Sequence, residues 1–413
     1  MKVCTSLTTV SSLREPAGYR VAMRSFALLL PLLGCGQPAS TPPVPSQPTP
    51  SFRDVRQVVP SAGLPPEVSP QVSNNNLDIT WHDGRIFLAF RTAPTHFASS
   101  ETVMYVVSSA DEETWRFEGA FSQETDLREP RFAAIGGNLF LYFAILGDNA
   151  LDFEPQGTVH YRYDGPGAWG PEEPWPDATF IPWRIKDIDG VLYLVGYTGG
   201  GGIYEPDAEP LEISLLRSSD GETWDPVVAD TPVVQTGGGS ETDFVFLDNG
   251  DLVAVSRNEQ GDAWGYGSKI CRAPASDLAQ WDCASDPKKY DSPLLFRHGD
   301  DIWLVGRRNV TEDGHYDLGK TELSPEAQFF DYQVTYWSTP KRCALWRVDP
   351  EALSVTWELD LPSRGDTCFA SILETDDGLV LYNYSSDPQG PDLSWLEGQT
   401  QPTFIHRMIL ELP

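Results

Sequence analysis

Carboxylates and guanidiniums recur at matching places along this chain. Short apolar segments begin with acids at Asp78, Glu129, Glu241 with Asp243, Asp291 and Asp366. The apolar segments that follow end with Arg91, Tyr197, Arg257, Arg307 with Arg308, and Tyr384, while Arg128 and Arg131 flank Glu129. Gathered in a concave site, such a set suits glycan chemistry. One carboxylic acid protonates a leaving oxygen, another group supports the oxocarbenium ion, and Arg forks clamp a substrate carboxylate. Glu241, Asp243 and Asp78 are the acid/base candidates. Arg257, Arg307, Arg308, Arg91, Arg128, Glu129, Asp291 and Tyr384 are the substrate-binding candidates. The alternative is that these charges pair with one another and hold neighbouring elements together.

What must position these residues is a repeat. A short apolar strand, a tight turn ending in Gly and a second apolar strand return six times: LDITWHDGRIFLAF (77–90), PRFAAIGGNLFLYF (130–143), PWRIKDIDGVLYLVGY (182–197), TDFVFLDNGDLVAVSR (242–257), SPLLFRHGDDIWLVGR (292–307) and CFASILETDDGLVLYNY (368–384). The turn glycines Gly84, Gly137, Gly190, Gly250, Gly299 and Gly378 lie about 50 to 80 residues apart. All-strand units of that length are propeller blades. A third strand follows each hairpin: 102–109, 158–165, 212–219, 268–275, 343–350 and 403–410. The expected fold is all-β, a six-bladed propeller with four antiparallel strands per blade. A five-bladed glycosidase-type ring is the rival count. The last blade lacks an outer strand, and Phe52–Val59 has the composition to supply it and close the ring.

Connection lengths separate two faces. The turns between first and second strands are short, whereas the connections between second and third strands are long, above all 308–342 in the fifth blade. Strand alternation puts these long loops on one face with the starts of the first strands, and loops on a rigid scaffold carry function. Their aromatics, Trp264, Tyr266, Phe329, Phe330, Tyr332, Tyr336 and Trp337, could stack on sugar rings or simply pack the loops.

Most third strands run into a turn ending in Trp. Ser109-Ala110-Asp111-Glu112-Glu113-Thr114-Trp115 and Ser218-Ser219-Asp220-Gly221-Glu222-Thr223-Trp224 are the clearest, with echoes at Asp164…Trp169, Asp277…Trp281 and Asp349…Trp357. These resemble the Asp-box (BNR repeat) of the sialidase superfamily, in which the Asp closes the turn and the Trp packs between blades. Residues 75–413 carry the resemblance loosely and the fourth to sixth blades carry it best. That resemblance implies a site with three Arg, a Tyr nucleophile assisted by a Glu, and an Asp acid/base. Glu241…Arg257 looks like the Glu strand with the second Arg, and Ser292…Arg307-Arg308 is similar to the stretch with the third. Thr367-Cys368-Phe369-Ala370-Ser371 resembles the strand of the nucleophilic Tyr, but Phe369 stands at that position. Asn75-Asn76-Leu77-Asp78 stands where the first Arg is expected. The usual exo-sialidase mechanism therefore lacks two of its residues.

Length, charge and cysteines set the address. The 413 residues carry a formal net charge of −31, which argues against nucleic acid and anionic membrane surfaces as partners. Met23-Arg24 precedes an apolar run, 25–34, too short to span a bilayer, which ends in Leu32-Leu33-Gly34-Cys35. This resembles a bacterial lipobox, and lipidation of Cys35 would anchor the chain at an outer membrane or cell surface. Residues 1–35 are thus expected to be a signal, with 1–22 outside it as a mis-called start. The Pro/Ser/Thr-rich stretch 36–51 is expected to be a tether, and 52–413 the propeller. In an exported protein the remaining cysteines suggest two disulfides, Cys271–Cys283 and Cys343–Cys368 being the favoured pairing of three. No C-x-x-C spacing and no dense acidic loop occurs, so no metal or other cofactor is expected. The combined expectation is a monomeric, lipid-anchored, extracytoplasmic propeller that recognises a carbohydrate or glycoconjugate, with hydrolysis of acidic glycans left open. The alternative is a non-catalytic surface module for protein or cell-wall partners.

Overall fold

The computed structural model describes residues 49–150, 153–199, 203 and 209–413. Cys35 and most of the expected tether lie outside the described residues. Six antiparallel sheets follow one another along the chain as four-stranded meanders, each with its first strand innermost. Those inner strands are Ser73–His82, Asp126–Ile135, Ile181–Ile188, Gly239–Phe246, Leu294–His298 and Ser371–Thr375. The six-bladed count therefore holds over the five-bladed rival. The outer edges of the second and third blades are each broken into two short pieces.

The ring closes with the strand Ser51–Val59, which pairs antiparallel with the last strand, Phe404–Glu411, from Ser51 opposite Glu411 to Val59 opposite Ile405. The first and last segments thus complete one sheet, as their composition suggested.

Blades are joined by aromatic wedges and by polar turns. Asp111 accepts the N–H groups of Glu113 and Thr114 at 2.9 and 2.8 Å, and Asp220 does the same for Glu222 and Thr223. These backbone bonds hold the exposed Asp111 carboxyl down to about 2. The following Trp115 lies edge-on to Tyr382 of the sixth blade, and Trp224 donates its indole N–H to Tyr142 of the second at 3.0 Å. Burying such a ring contributes on the order of 2 kcal/mol. Trp357 departs from the pattern: it is half exposed and bonds Asp360 in its own blade. Both expected disulfides are present. Cys271–Cys283 ties the third and fourth strands of the fourth blade, and Cys343–Cys368 ties the fifth blade to the sixth.

Two helices lie among the long connections, where only loops were expected. The helix α1, Pro325–Trp337, starts with Ser324 accepting the N–H of Ala327 and with Pro at its first position. Its Phe329, Tyr332 and Tyr336 pack with Tyr266 and Tyr316 into an aromatic cluster over the fourth and fifth blades. The short helix α2, Trp395–Gly398, has a capping box from Ser394 and Glu397. Of the aromatics considered for sugar stacking, Tyr266, Phe329, Tyr332 and Tyr336 are buried packing, whereas Trp264 and Phe330 are 78% and 70% exposed.

Candidate functional site

The inner strands start irregularly, and that irregularity builds the site. Pairing with the second strand slips between Asn75 and Leu77, Arg128 and Arg131, Pro182 and Arg184, and Gly239 and Thr242. Asn76, Glu129, Ser292 and Cys368 have φ of 40°, 56°, 52° and 87°. Each such non-glycine residue costs on the order of 1–3 kcal/mol, so the surrounding structure must enforce it. Bulges of this kind re-aim side chains, and here they turn strand starts toward the propeller axis.

Glu241, Arg257, Asp291 and Arg307 meet there. Arg257 Nη1 lies 2.7 Å from Glu241 Oε1 and 3.7 Å from Asp291 Oδ1, and its Nε lies 3.0 Å from Glu259. Arg307 Nη1 lies 3.1 Å from Asp291 Oδ2 and its Nε donates to the Thr367 carbonyl at 2.6 Å. The Tyr336 hydroxyl, delivered by α1, donates to Asp291. Next to Arg307, His96 Nδ1 lies 2.6 Å from Asp366 Oδ2, and the Tyr384 hydroxyl donates to Asp366 Oδ1 at 2.9 Å. Arg128 pairs with Asp126 at 2.5 Å and donates to the His96 carbonyl. Asn76 donates to Glu129 at 3.1 Å.

The acids in this basin differ in charge state. Burial pushes Glu241 up to about 7, against the pull of Arg257 and with help from Asp291 and Glu129. Burial also raises Glu129, although Arg131, Arg128 and Arg257 oppose it. Asp291 goes the other way: burial would raise it, but Lys289, Arg307 and Arg257 outweigh that and hold it below the usual range. Asp366 is likewise lowered, burial being outweighed by His96 and Arg307. Burial lowers His96, with the neighbouring Asp366 pulling the other way. One group able to give a proton near neutrality thus sits among fixed cations and anions.

Four candidates lie elsewhere. Asp78 accepts the Phe132 N–H at 2.9 Å and the Ser371 hydroxyl at 2.7 Å, bonding three blades together. Asp243 is fully buried against Lys186 at 2.7 Å and Arg184 at 3.3 Å. Arg91 is fully buried, with Asp126 and the carbonyls of Thr95 and Phe97 taking its donors. Arg308 turns outward to Asp360, because it follows Arg307 on one strand and adjacent side chains alternate.

Below the basin the axis is blocked. The Arg131 guanidinium lies 5.1 Å from the Trp183 ring centroid and 4.5 Å from that of Phe369. Beyond it a cavity of about 650 Å³ opens on the other face, with all six inner strands contributing. His96 and Lys289 are site neighbours that the sequence pattern does not mark, and they join Asp366, one of the strand-start acids, and Tyr336, one of the loop aromatics. The Ser324-Pro325-Glu326 start and the spacing of Phe329, Tyr332 and Tyr336 would have revealed the helix that delivers Tyr336.

No protein-family model matches this chain, and no curated protein matches it. Solved structures do. A protein of unknown function from Dyadobacter fermentans DSM 18053 is similar over 89% of this chain and 100% of its own, with TM-score 0.58 and 16% identity. Phage phi92 endosialidase is similar over 87% of this chain and 69% of its own, with TM-score 0.56 and 11% identity. Trypanosoma rangeli sialidase in complex with sialic acid is similar over 88% of this chain, with TM-score 0.54 and 13% identity. This chain spans 59% of the length of that sialidase. What the chain shares with them is the fold, a sialidase-like six-bladed propeller.

Proposed function

We propose that the basin recognises an acidic glycan, with the sugar carboxylate directed to Arg257 and Arg307. The observation that carries this reading is their convergence on Asp291 beside Glu241. Two guanidinium forks from neighbouring blades suit a carboxylate, and the buried acceptors Asn76 Oδ1 and Glu129 Oε2, which lack hydrogen-bond partners, suit sugar hydroxyls. Exposed Trp264 on the same face adds a stacking surface. A sialic-acid-like sugar fits this chemistry, and a trypanosomal protein of this fold binds sialic acid.

A second reading, hydrolysis, is favoured by Glu241 alone, because its carboxyl is held near neutrality as a general acid requires. Phe369 supplies no nucleophile, so turnover would have to use water. Titration of a sialylated oligosaccharide panel into the protein, with product analysis, tests both. Saturable binding that Arg257→Ala abolishes supports recognition. Turnover lost in Glu241→Gln with binding retained supports hydrolysis. Binding that is absent, or indifferent to Arg257, overturns the proposal.

A further inference from the structure

The cavity on the opposite face has a different polarity from the basin. Its walls are largely apolar, with Ile79, Phe132, Leu295 and Ile372 among them; its cations come from Arg184, Lys186 and Arg297, and its carboxylates from Asp78 and from Asp187, which accepts the Gly190 N–H. Arg184 is 4% exposed, and its Nε, 3.3 Å from Asp243, makes no hydrogen bond. The Nε of Arg297 is also buried without a partner, while its Nη1 pairs with the exposed Asp248 at 2.6 Å and donates to the Phe246 carbonyl. Asp243 is shared by two cations, Arg184 and Lys186, while both oxygens of Asp78 are taken by Phe132 and Ser371. Directly above, Arg131 Nη2 and Trp183 Nε1 are further buried donors without acceptors. The polar atoms left unsatisfied here are all donors. A buried donor without a partner costs about 1–3 kcal/mol, which an incoming acceptor recovers.

We infer that this cavity is a second ligand site, taking a small monoanionic carboxylate with an apolar body. The anion meets Arg184 and Arg297, and the apolar part lies against the inner-strand side chains. A volume of about 650 Å³ is in the range of small-molecule sites. The Arg131 plug separates this site from the basin, so the two sites fill independently.

The test is calorimetric titration of the whole protein with decanoate, and with decanol as the neutral counterpart. One saturable site for decanoate is expected, with decanol at least tenfold weaker. Arg184→Met should weaken decanoate at least tenfold. Since removing a buried cation could impair folding, Arg297→Ala, whose side chain is one-third exposed, gives an independent arm with an expected several-fold loss. Arg308→Ala, which removes an outward ion pair away from both sites, should leave decanoate affinity unchanged. Unsaturable heats with decanoate, equal affinity for decanol, or indifference to Arg297→Ala in a folded protein would each overturn the inference.

Discussion

The guanidinium carbon of Arg131 sits 4.5 Å from the ring centroid of Phe369, on the propeller axis. The Phe369 ring is thus engaged as one wall of a cation–π plug, with Trp183 as the other. Phe369→Ala should destabilise the fold by about 3–5 kcal/mol through cavity formation and loss of that contact, read by chemical denaturation. A loss below about 1 kcal/mol would show that the plug closes up by other means.

Ligand binding should depend on pH through Glu241. Its carboxyl is raised to about 7, and a ligand carboxylate beside it is better accepted when it is protonated. Affinity for an acidic glycan should therefore rise as pH falls from 8 to 6, approaching tenfold per unit above 7. Glu241→Gln should flatten this profile. A wild-type profile that is already flat would remove Glu241 from the binding linkage.

The same group sets a sign for stability. Its folded value lies above the ordinary 4.5, so its contribution is fully present below about 4.5 and lost as pH rises through 7. The stability of wild type relative to Glu241→Gln should decline across that window. Denaturation midpoints at pH 5 and pH 8 give the comparison, and the opposite order would contradict the burial of Glu241.

Neighbouring arginines should behave unlike one another. Arg257→Ala leaves Glu241, Glu259 and Asp291 without their shared cation and should cost about 3–5 kcal/mol of stability as well as glycan binding. Arg308→Ala removes an outward ion pair with Asp360 and should cost no more than about 1 kcal/mol, with glycan affinity unchanged. Equal effects of the two on binding would refute the placement of Arg308 outside the basin.

Disulfide removal should follow loop length. Cys343–Cys368 closes 25 residues and Cys271–Cys283 closes 12. Chain-entropy reasoning gives about 3.5 kcal/mol for the first and about 2.8 kcal/mol for the second. Paired Cys→Ser variants, compared by denaturant midpoint, check the order.

Much of this was legible in the residues because it rests on periodicity and local chemistry. The hairpin repeat dictated six blades, Phe52–Val59 announced its pairing, and the cysteine pairs followed from their places on the strands. Arg257 and Arg307 come together because they hold corresponding places on the second strands of neighbouring blades, and Glu241 meets them from the start of a first strand. Arg308 pairs with Asp360 rather than joining Arg307, because adjacent side chains on one strand alternate. Asp243 shares a strand with Glu241, but pairing slips between Gly239 and Thr242, so counting along the chain loses the direction of the side chains. Asp78 meets partners on neighbouring blades, and Arg91 meets Asp126 and a returning loop besides its cross-strand neighbour Asn75, which no local pattern encodes. Tyr336 reaches Asp291 from a helix inside a connection read as a loop.

The closing strand also fixes an orientation. Ser51 pairs with Glu411, at the end of the last blade nearest the Gly378 turn, and therefore lies on the face where the axial cavity opens. The strand that seals the ring therefore begins beside the cavity, so a reporter attached at Ser51 would stand near the cavity mouth and away from Glu241 and Arg257.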